Sequence, residues 1–192
     1  MDRVIAAADE LFRARGFSAV HMDDIAREAG MSKKTLYLHV RSKEELLQVL
    51  SERMHGEFER HKQEVLHCRK LSLEERLRLH TEFCRAKLNR LHPAFFLEVK
   101  RHAPRVYARM MELRNEGVTR MISALLAQGQ REGVVRKDLS MRLAIESFRT
   151  LVLNVLQPEV LAAMDLTPAQ ASREIMELFF SGILIRERKS RK

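Results

Sequence analysis

Met22-Asp23-Asp24-Ile25-Ala26-Arg27-Glu28-Ala29-Gly30-Met31-Ser32-Lys33-Lys34-Thr35-Leu36-Tyr37-Leu38-His39 reads as two short amphipathic helices meeting at a glycine. Ile25, Ala29, Met31 and Leu36 are spaced to share a small core. Two helices that cross steeply need a small side chain where their backbones approach, and Ala26 supplies it. The turn needs a residue at ease with positive φ, and Gly30 supplies that. Asp23 and Asp24 fall in the first turn of the leading helix, where its dipole favours acids. With Ile25, Ala26, Ala29, Gly30 and Leu36 committed to packing and turn, the second helix opens at Ser32 or Lys33 and closes about His39. Lys33, Lys34, Thr35, Tyr37 and His39 are then left on its exposed faces. Side chains of these types can reach base edges and phosphates in a major groove. Lys43, near the start of the next helix, is placed to meet the phosphate backbone beside that groove, alongside the N–H groups of the helix terminus. The stretch predicts a helix-turn-helix and double-stranded DNA as partner.

Outward from this stretch, helical spacing continues in both directions. Val4, Ile5, Ala8, Leu11 and Phe12 make the apolar face of a first helix. It is expected to stop at Gly16 as a left-handed C′ residue, with Phe17 as the hydrophobic contact of a Schellman motif. Ser42 with Glu45 reads as a capping box opening a fourth helix, which Leu46, Leu47, Leu50, Met54 and Phe58 carry past Gly56. Ser72 with Glu75 opens another, with Leu73, Leu77, Phe83, Leu88 and Leu91 inward. Pro93 and Pro104 each stand where a helix can begin. A long helix is expected from about Pro104 to Arg131, ending at Gly133. Another, from Ser140 to Gln157, carries Leu143, Ala144, Ile145, Phe148, Leu151, Val152 and Val155. Thr167, Pro168 and Gln170 cap a last helix to about Ile185. No alternating strand, repeat or low-complexity segment interrupts the pattern. The expected fold is all-α: a helix-turn-helix DNA-binding domain over residues 1–47 and a larger helical effector-binding and dimerisation domain over 48–192.

Composition agrees. The 192 residues are 45% hydrophobic, with only seven Gly and four Pro, a balance that favours helices around a real core. No apolar run approaches the ~20 residues that span a bilayer, and the chain opens on an amphipathic pattern, not a signal-peptide core. Two cysteines, Cys68 and Cys84, are too few for a disulfide framework. A soluble cytoplasmic protein with no membrane association is expected. The net charge of +9 does not locate a DNA-binding face, because residues 1–47 hold eight Lys/Arg and eight Asp/Glu. The excess lies further on, much of it between Lys100 and Arg120 and in the tail from Arg186 to Lys192. The informative feature is local: Met31 to Lys43 carries Lys33, Lys34, Arg41 and Lys43 with no acid among them.

Asp24 to Ser32, then Thr35-Leu36-Tyr37-Leu38-His39-Val40 and Ser42-Lys43-Glu44-Glu45-Leu46-Leu47, closely resemble the tetracycline-repressor (TetR) family of bacterial transcriptional regulators. The resemblance is residue by residue over the first quarter of the chain, and one of length and helical layout beyond it. It implies a three-helix DNA-binding domain on a larger helical domain that binds a small effector and dimerises through its last two long helices. It also implies that Thr35, Tyr37 and Lys43 make backbone or base contacts, and that the fourth helix links the two domains. The implied protein is a homodimeric regulator, a repressor in the usual case, that binds a near-palindromic operator and is released by an effector. The chain departs from the family pattern in two places: Val20 and His21 stand where Ser or Thr usually precedes the second helix, and Lys34 stands where a small residue is common.

Other chemistry is thinly represented. There is no glycine-rich phosphate loop, nucleophile elbow or metalloprotease helix, so neither an enzyme nor a cofactor is expected. His80 and Cys84, at i and i+4, have a spacing that two metal ligands could use, with His61, His67 and Cys68 as conceivable additions, but nothing nearby in sequence completes a tetrahedral set. No metal is expected. Phe83, Phe95, Met110, Met111 and Phe148 are the candidates for an apolar effector pocket.

Overall fold

Side-chain caps set several of the helix starts in the computed structural model, which describes residues 1–66, 68 and 70–183. The helices run α1 Asp2–Arg15, α2 Met22–Glu28, α3 Lys33–His39, α4 Lys43–Leu66, α5 Leu73–Leu88, α6 Phe95–His102, α7 Pro104–Arg131, α8 Met141–Val155, α9 Pro158–Ala163 and α10 Pro168–Ile183. Among the described residues there is no strand, and the all-α fold stands. Residues 184 and 185 of the expected last helix, and the basic tail from Arg186, lie outside the described residues.

Ser72 and Glu75 form the full reciprocal box: the Glu75 amide donates to Ser72 Oγ at 3.2 Å and the Ser72 amide donates to Glu75 Oε2 at 2.7 Å. Thr167 and Gln170 do the same ahead of α10. Ser42 is a variant. Its Oγ accepts the Glu45 amide, but the Glu45 carboxylate reaches one residue further back, to the Arg41 amide at 2.7 Å. Pro104 stands at the first position of α7, as expected, whereas α6 starts two residues after Pro93, past a turn in which the Phe95 amide donates to the His92 carbonyl. α9, with Pro158 at its first position, is not among the expected helices.

The chain divides into two compact units, and not at residue 47. One comprises residues 1–60 and 86–114, the other 61–85 and 115–192. The reason is in the first unit's core. Val4, Leu11, Phe12, Phe17, Ile25, Leu36, Leu46 and Leu47 bury themselves together with Phe95, Val99, Val106 and Met110, so α6 and the start of α7 complete the N-terminal helices. The second unit is centred on Leu73, Leu77, Ile122, Leu125, Leu126, Phe148, Ile175 and Phe180. On α8, Ala144 and Phe148 face this core, but Leu143 is 67% and Leu151 37% exposed. The apolar residues of α8 span too wide an arc for one core to cover.

Candidate nucleic-acid interface

The entry to α2 lacks Ser or Thr and is built from its other end. The Asp24 carboxylate, at the third position, reaches back to the His21 amide at 3.0 Å. That amide, then the guanidinium groups of Arg27 and Arg15, hold the Asp24 carboxyl below its ordinary value. At the exit, Gly30 has φ +67°. The Met31 amide donates to the Ala26 carbonyl and the Gly30 amide to the Arg27 carbonyl, which is the Schellman pairing. This pairing fixes the corner between α2 and α3, and Ile25, Ala26 and Ala29 are buried there as the spacing predicts.

α3 is opened by Ser32, whose Oγ accepts the Thr35 amide and lies 2.8 Å from Thr35 Oγ1. Leu36 is wholly buried, an anchor that contributes roughly 1.5–3 kcal/mol. Lys33, Lys34, Thr35, Leu38 and His39 are exposed, and Tyr37 is 46% exposed. The structure therefore gathers five of the six expected DNA-contacting residues on the solvent side of one helix. Lys33 has an internal partner: its Nζ lies 2.7 Å from Asp23 Oδ1, a pairing that raises its pKa. Both side chains are more than half exposed, so the pair is weak enough to exchange for a phosphate.

Lys43 is placed differently from the expectation. Its ammonium turns inward, donating to the carbonyls of Phe17 at 2.7 Å and Val20 at 2.8 Å, with that of Ser18 at 3.4 Å, and sits 4.4 Å from the Phe17 ring centre. Burial pulls its pKa down from the ordinary lysine value, against the opposing charges of Glu44 and Glu98. The α1–α2 loop has carbonyls that no helix satisfies, and a lysine beside them becomes their donor.

The same loop shows a second correction. Gly16 has φ +80° and ψ 172°, a glycine-only conformation but not the left-handed one expected of a Schellman turn. Its lost Cβ is needed twice over, because a Cβ there would come within 2.6 Å of Glu98 Oε2. That carboxylate, from α6, accepts the Ser18 amide at 2.9 Å. Glu98 thus ties α6 to the loop between α1 and α2. Sequence reasoning missed it, since a lone Glu on an amphipathic helix carries no signal of a donor 80 residues away.

The five expected effector-pocket residues are divided between the two units. Phe95 and Met110 are buried in the core of the first unit, with Met111 packed against it. Phe95 and Met110 border a cavity of about 30 Å³ that Phe12, Leu47 and Met54 also line. That is room for about one water, against the several hundred Å³ of a ligand site. In the second unit, Phe83 stacks on His61 at 3.9 Å and Phe148 packs edge-on against Phe179. His80 Nε2 lies 3.5 Å from Cys84 Sγ. Burial pushes the Cys84 thiol up to about 12. Among the described residues no three His, Cys, Asp or Glu side chains are grouped to hold a metal. Nor is any helix among them long and apolar enough to cross a membrane. Arg76, unremarked in the sequence, is the most buried charged side chain of the second unit, at 1% exposure, and meets Glu132 Oε1 at 3.2 Å. It lies between Leu73 and Leu77 on the buried face of α5.

Comparison with known proteins matches this geometry. Residues 4–50 fit the family model described as bacterial regulatory proteins, tetR family. An uncharacterized HTH-type transcriptional regulator, YerO, of Bacillus subtilis is 46% identical over 46 residues, which span 24% of this chain and 16% of that relative. The fatty acid metabolism regulator protein of the same organism is 24% identical over 94% of each chain. The crystal structure of a transcriptional regulator FadR from Bacillus subtilis in complex with stearoyl-CoA shares the fold, with a TM-score of 0.62 at 23% identity over 95% of this chain and 98% of that one. The helix-turn-helix that residues 4–50 form is thus of the type found in bacterial regulatory proteins of the tetR family.

Proposed function

We propose that the protein is a homodimeric repressor that reads a near-palindromic operator, one α3 in each of two successive major grooves, and leaves it when a small effector binds. The observation that carries this reading is α3 itself: an acid-free helix held by the buried Leu36, with Lys33, Lys34, Thr35, Tyr37 and His39 exposed. Thr35 stays close to its cap partner Ser32, so it reads bases from a fixed position. Lys34 and Lys33 take phosphates, and Tyr37 and His39 flank them. Lys43 shapes the loop behind α3 and does not itself bind DNA. The protein acts by binding, not by catalysis.

The second unit supports two-fold symmetry. Leu143 and Leu151 of α8 and Leu178 of α10, the last 75% exposed, are large apolar side chains turned to solvent on the last two long helices, a surface suited to a second copy. The effector is an acyl-chain compound received by the second unit. Likeness to a fatty acid metabolism regulator and to a stearoyl-CoA complex supports that class. Binding lowers operator affinity because the effector prefers a conformation in which the two reading heads are misplaced.

Selecting bound sequences from random DNA with the purified protein tests the reading, with enrichment of a symmetric site as the expected result. On that site, Lys34→Ala and Tyr37→Ala weaken binding roughly tenfold, about 1.4 kcal/mol, and Lys34→Ala lowers the salt slope by about one. Thr35→Ala changes base preference as well. Failure to enrich any symmetric site, or unchanged affinity in all three variants, overturns it.

A further inference from the structure

A guanidinium carries five N–H donors and cannot shed its charge, so a fully buried arginine is normally surrounded by acceptors. Arg76 is not. Its Nη2 donates to Glu132 Oε1, while Nε and Nη1 are buried with no hydrogen-bond partner among the described residues. Its neighbours on the buried face of α5 are Leu73 and Leu77, members of the apolar cluster that contains Leu125 and Leu126. An unmet cationic donor in such surroundings is costly unless something else satisfies it. The one acceptor it has among the described residues is shared. Glu132 Oε1 also takes the Gln128 amide group at 2.8 Å, and the Glu132 side chain is 34% exposed.

We propose that Arg76 is the anchor for the carboxylate of an amphipathic effector, and that Glu132 is a built-in stand-in which the ligand displaces. A carboxylate oxygen arriving at Nε or Nη1 meets a donor already desolvated and oriented, and an acyl chain attached to it continues among leucines. Glu132, partly exposed and retaining its bond from Gln128, can give way to solvent as the ligand enters. Charge balance is kept: one anion leaves the guanidinium as another takes its place. This assignment rests on the effector reading above and narrows it from an acyl-chain compound to one with an ionised carboxyl head.

The test compares dodecanoate, dodecanol and dodecanoyl-CoA, each below its micelle concentration, by calorimetric titration of the full-length protein. Operator binding and helical content of every variant are checked separately. Dodecanoate is expected to bind at least tenfold more tightly than dodecanol. Arg76→Met, which keeps the length and removes the charge, abolishes that preference, and Glu132→Gln strengthens dodecanoate binding several-fold by weakening the internal competitor. The Glu132→Gln result and the wild-type comparison stand even where Arg76→Met does not fold. Equal affinity for dodecanoate and dodecanol, or a preference that survives Arg76→Met, overturns the anchor. Binding of dodecanoyl-CoA alone, with release from the operator, overturns the anchor but leaves the effector reading intact. Carboxylate binding that leaves operator affinity unchanged does the reverse.

Discussion

Lys43 and Thr35 show how a polar side chain in a DNA-reading motif divides its work between the protein and the nucleic acid. Lys43 lies in the acid-free run that points to a phosphate contact, yet its ammonium closes the α1–α2 loop by donating to the carbonyls of Phe17 and Val20. Replacing it with Met leaves those carbonyls unpaired, and we expect a loss of about 1–3 kcal/mol in unfolding free energy. Operator affinity falls with the distorted loop, but the salt slope of binding stays the same. Denaturant titration and gel shifts at several salt concentrations check this; unaltered stability with a salt slope lowered by about one would mean that Lys43 contacts phosphate after all. The type and position of this residue were legible in the sequence, but its partners were not, because backbone carbonyls in an irregular loop leave no trace in residue spacing. Arg76 was hidden for the opposite reason. It sits in a pattern of leucines that reads as ordinary amphipathy unless its own burial is known.

At the scale of elements, what can be read from sequence divides by range. Caps at Ser72, Thr167 and Ser140 and the corner at Gly30 rest on partners within five residues, and their helices begin or end where the residues indicate. Gly16 was identified as a stop but with the wrong conformation, since the loop it enters is tied through Ser18 to Glu98, far away in the chain. Gly16→Ala therefore faces two penalties, a conformation at φ +80° that side chains resist and a carboxylate in the space of the new Cβ. The expected cost is about 1–3 kcal/mol from the backbone alone. Adding Glu98→Ala should recover only the steric part, so the double variant remains less stable than Glu98→Ala by itself. Thermal unfolding of the four proteins measures this; Gly16→Ala with wild-type stability would sink the account. The breadth of the apolar arc on α8 belongs to the same scale. Periodicity identified the helix, but could not say that Leu143 and Leu151 would be left outside its core.

For the molecule as a whole, those outward leucines carry the prediction that matters for symmetry. Leu178→Glu on α10 places a charge where a second copy would have to desolvate it. Sedimentation should show a shift toward monomer, and operator affinity should fall by at least tenfold while helical content stays near wild type. A variant that sediments like the wild type would remove α10 from the interface. The division of the chain into two units was the least legible property, because a boundary drawn at residue 47 follows the motif, whereas the core follows Phe95, Val99 and Met110. This bears on how such regulators can be recombined. A hybrid made by grafting residues 1–47 onto another regulator's body would lose the apolar partners of Phe12 and Leu47, and would retain a notch at Gly16 with no carboxylate to fill it. Transplanting the DNA specificity of this protein thus calls for carrying α6 along with the head, or for changing α3 alone and leaving the rest of the scaffold in place.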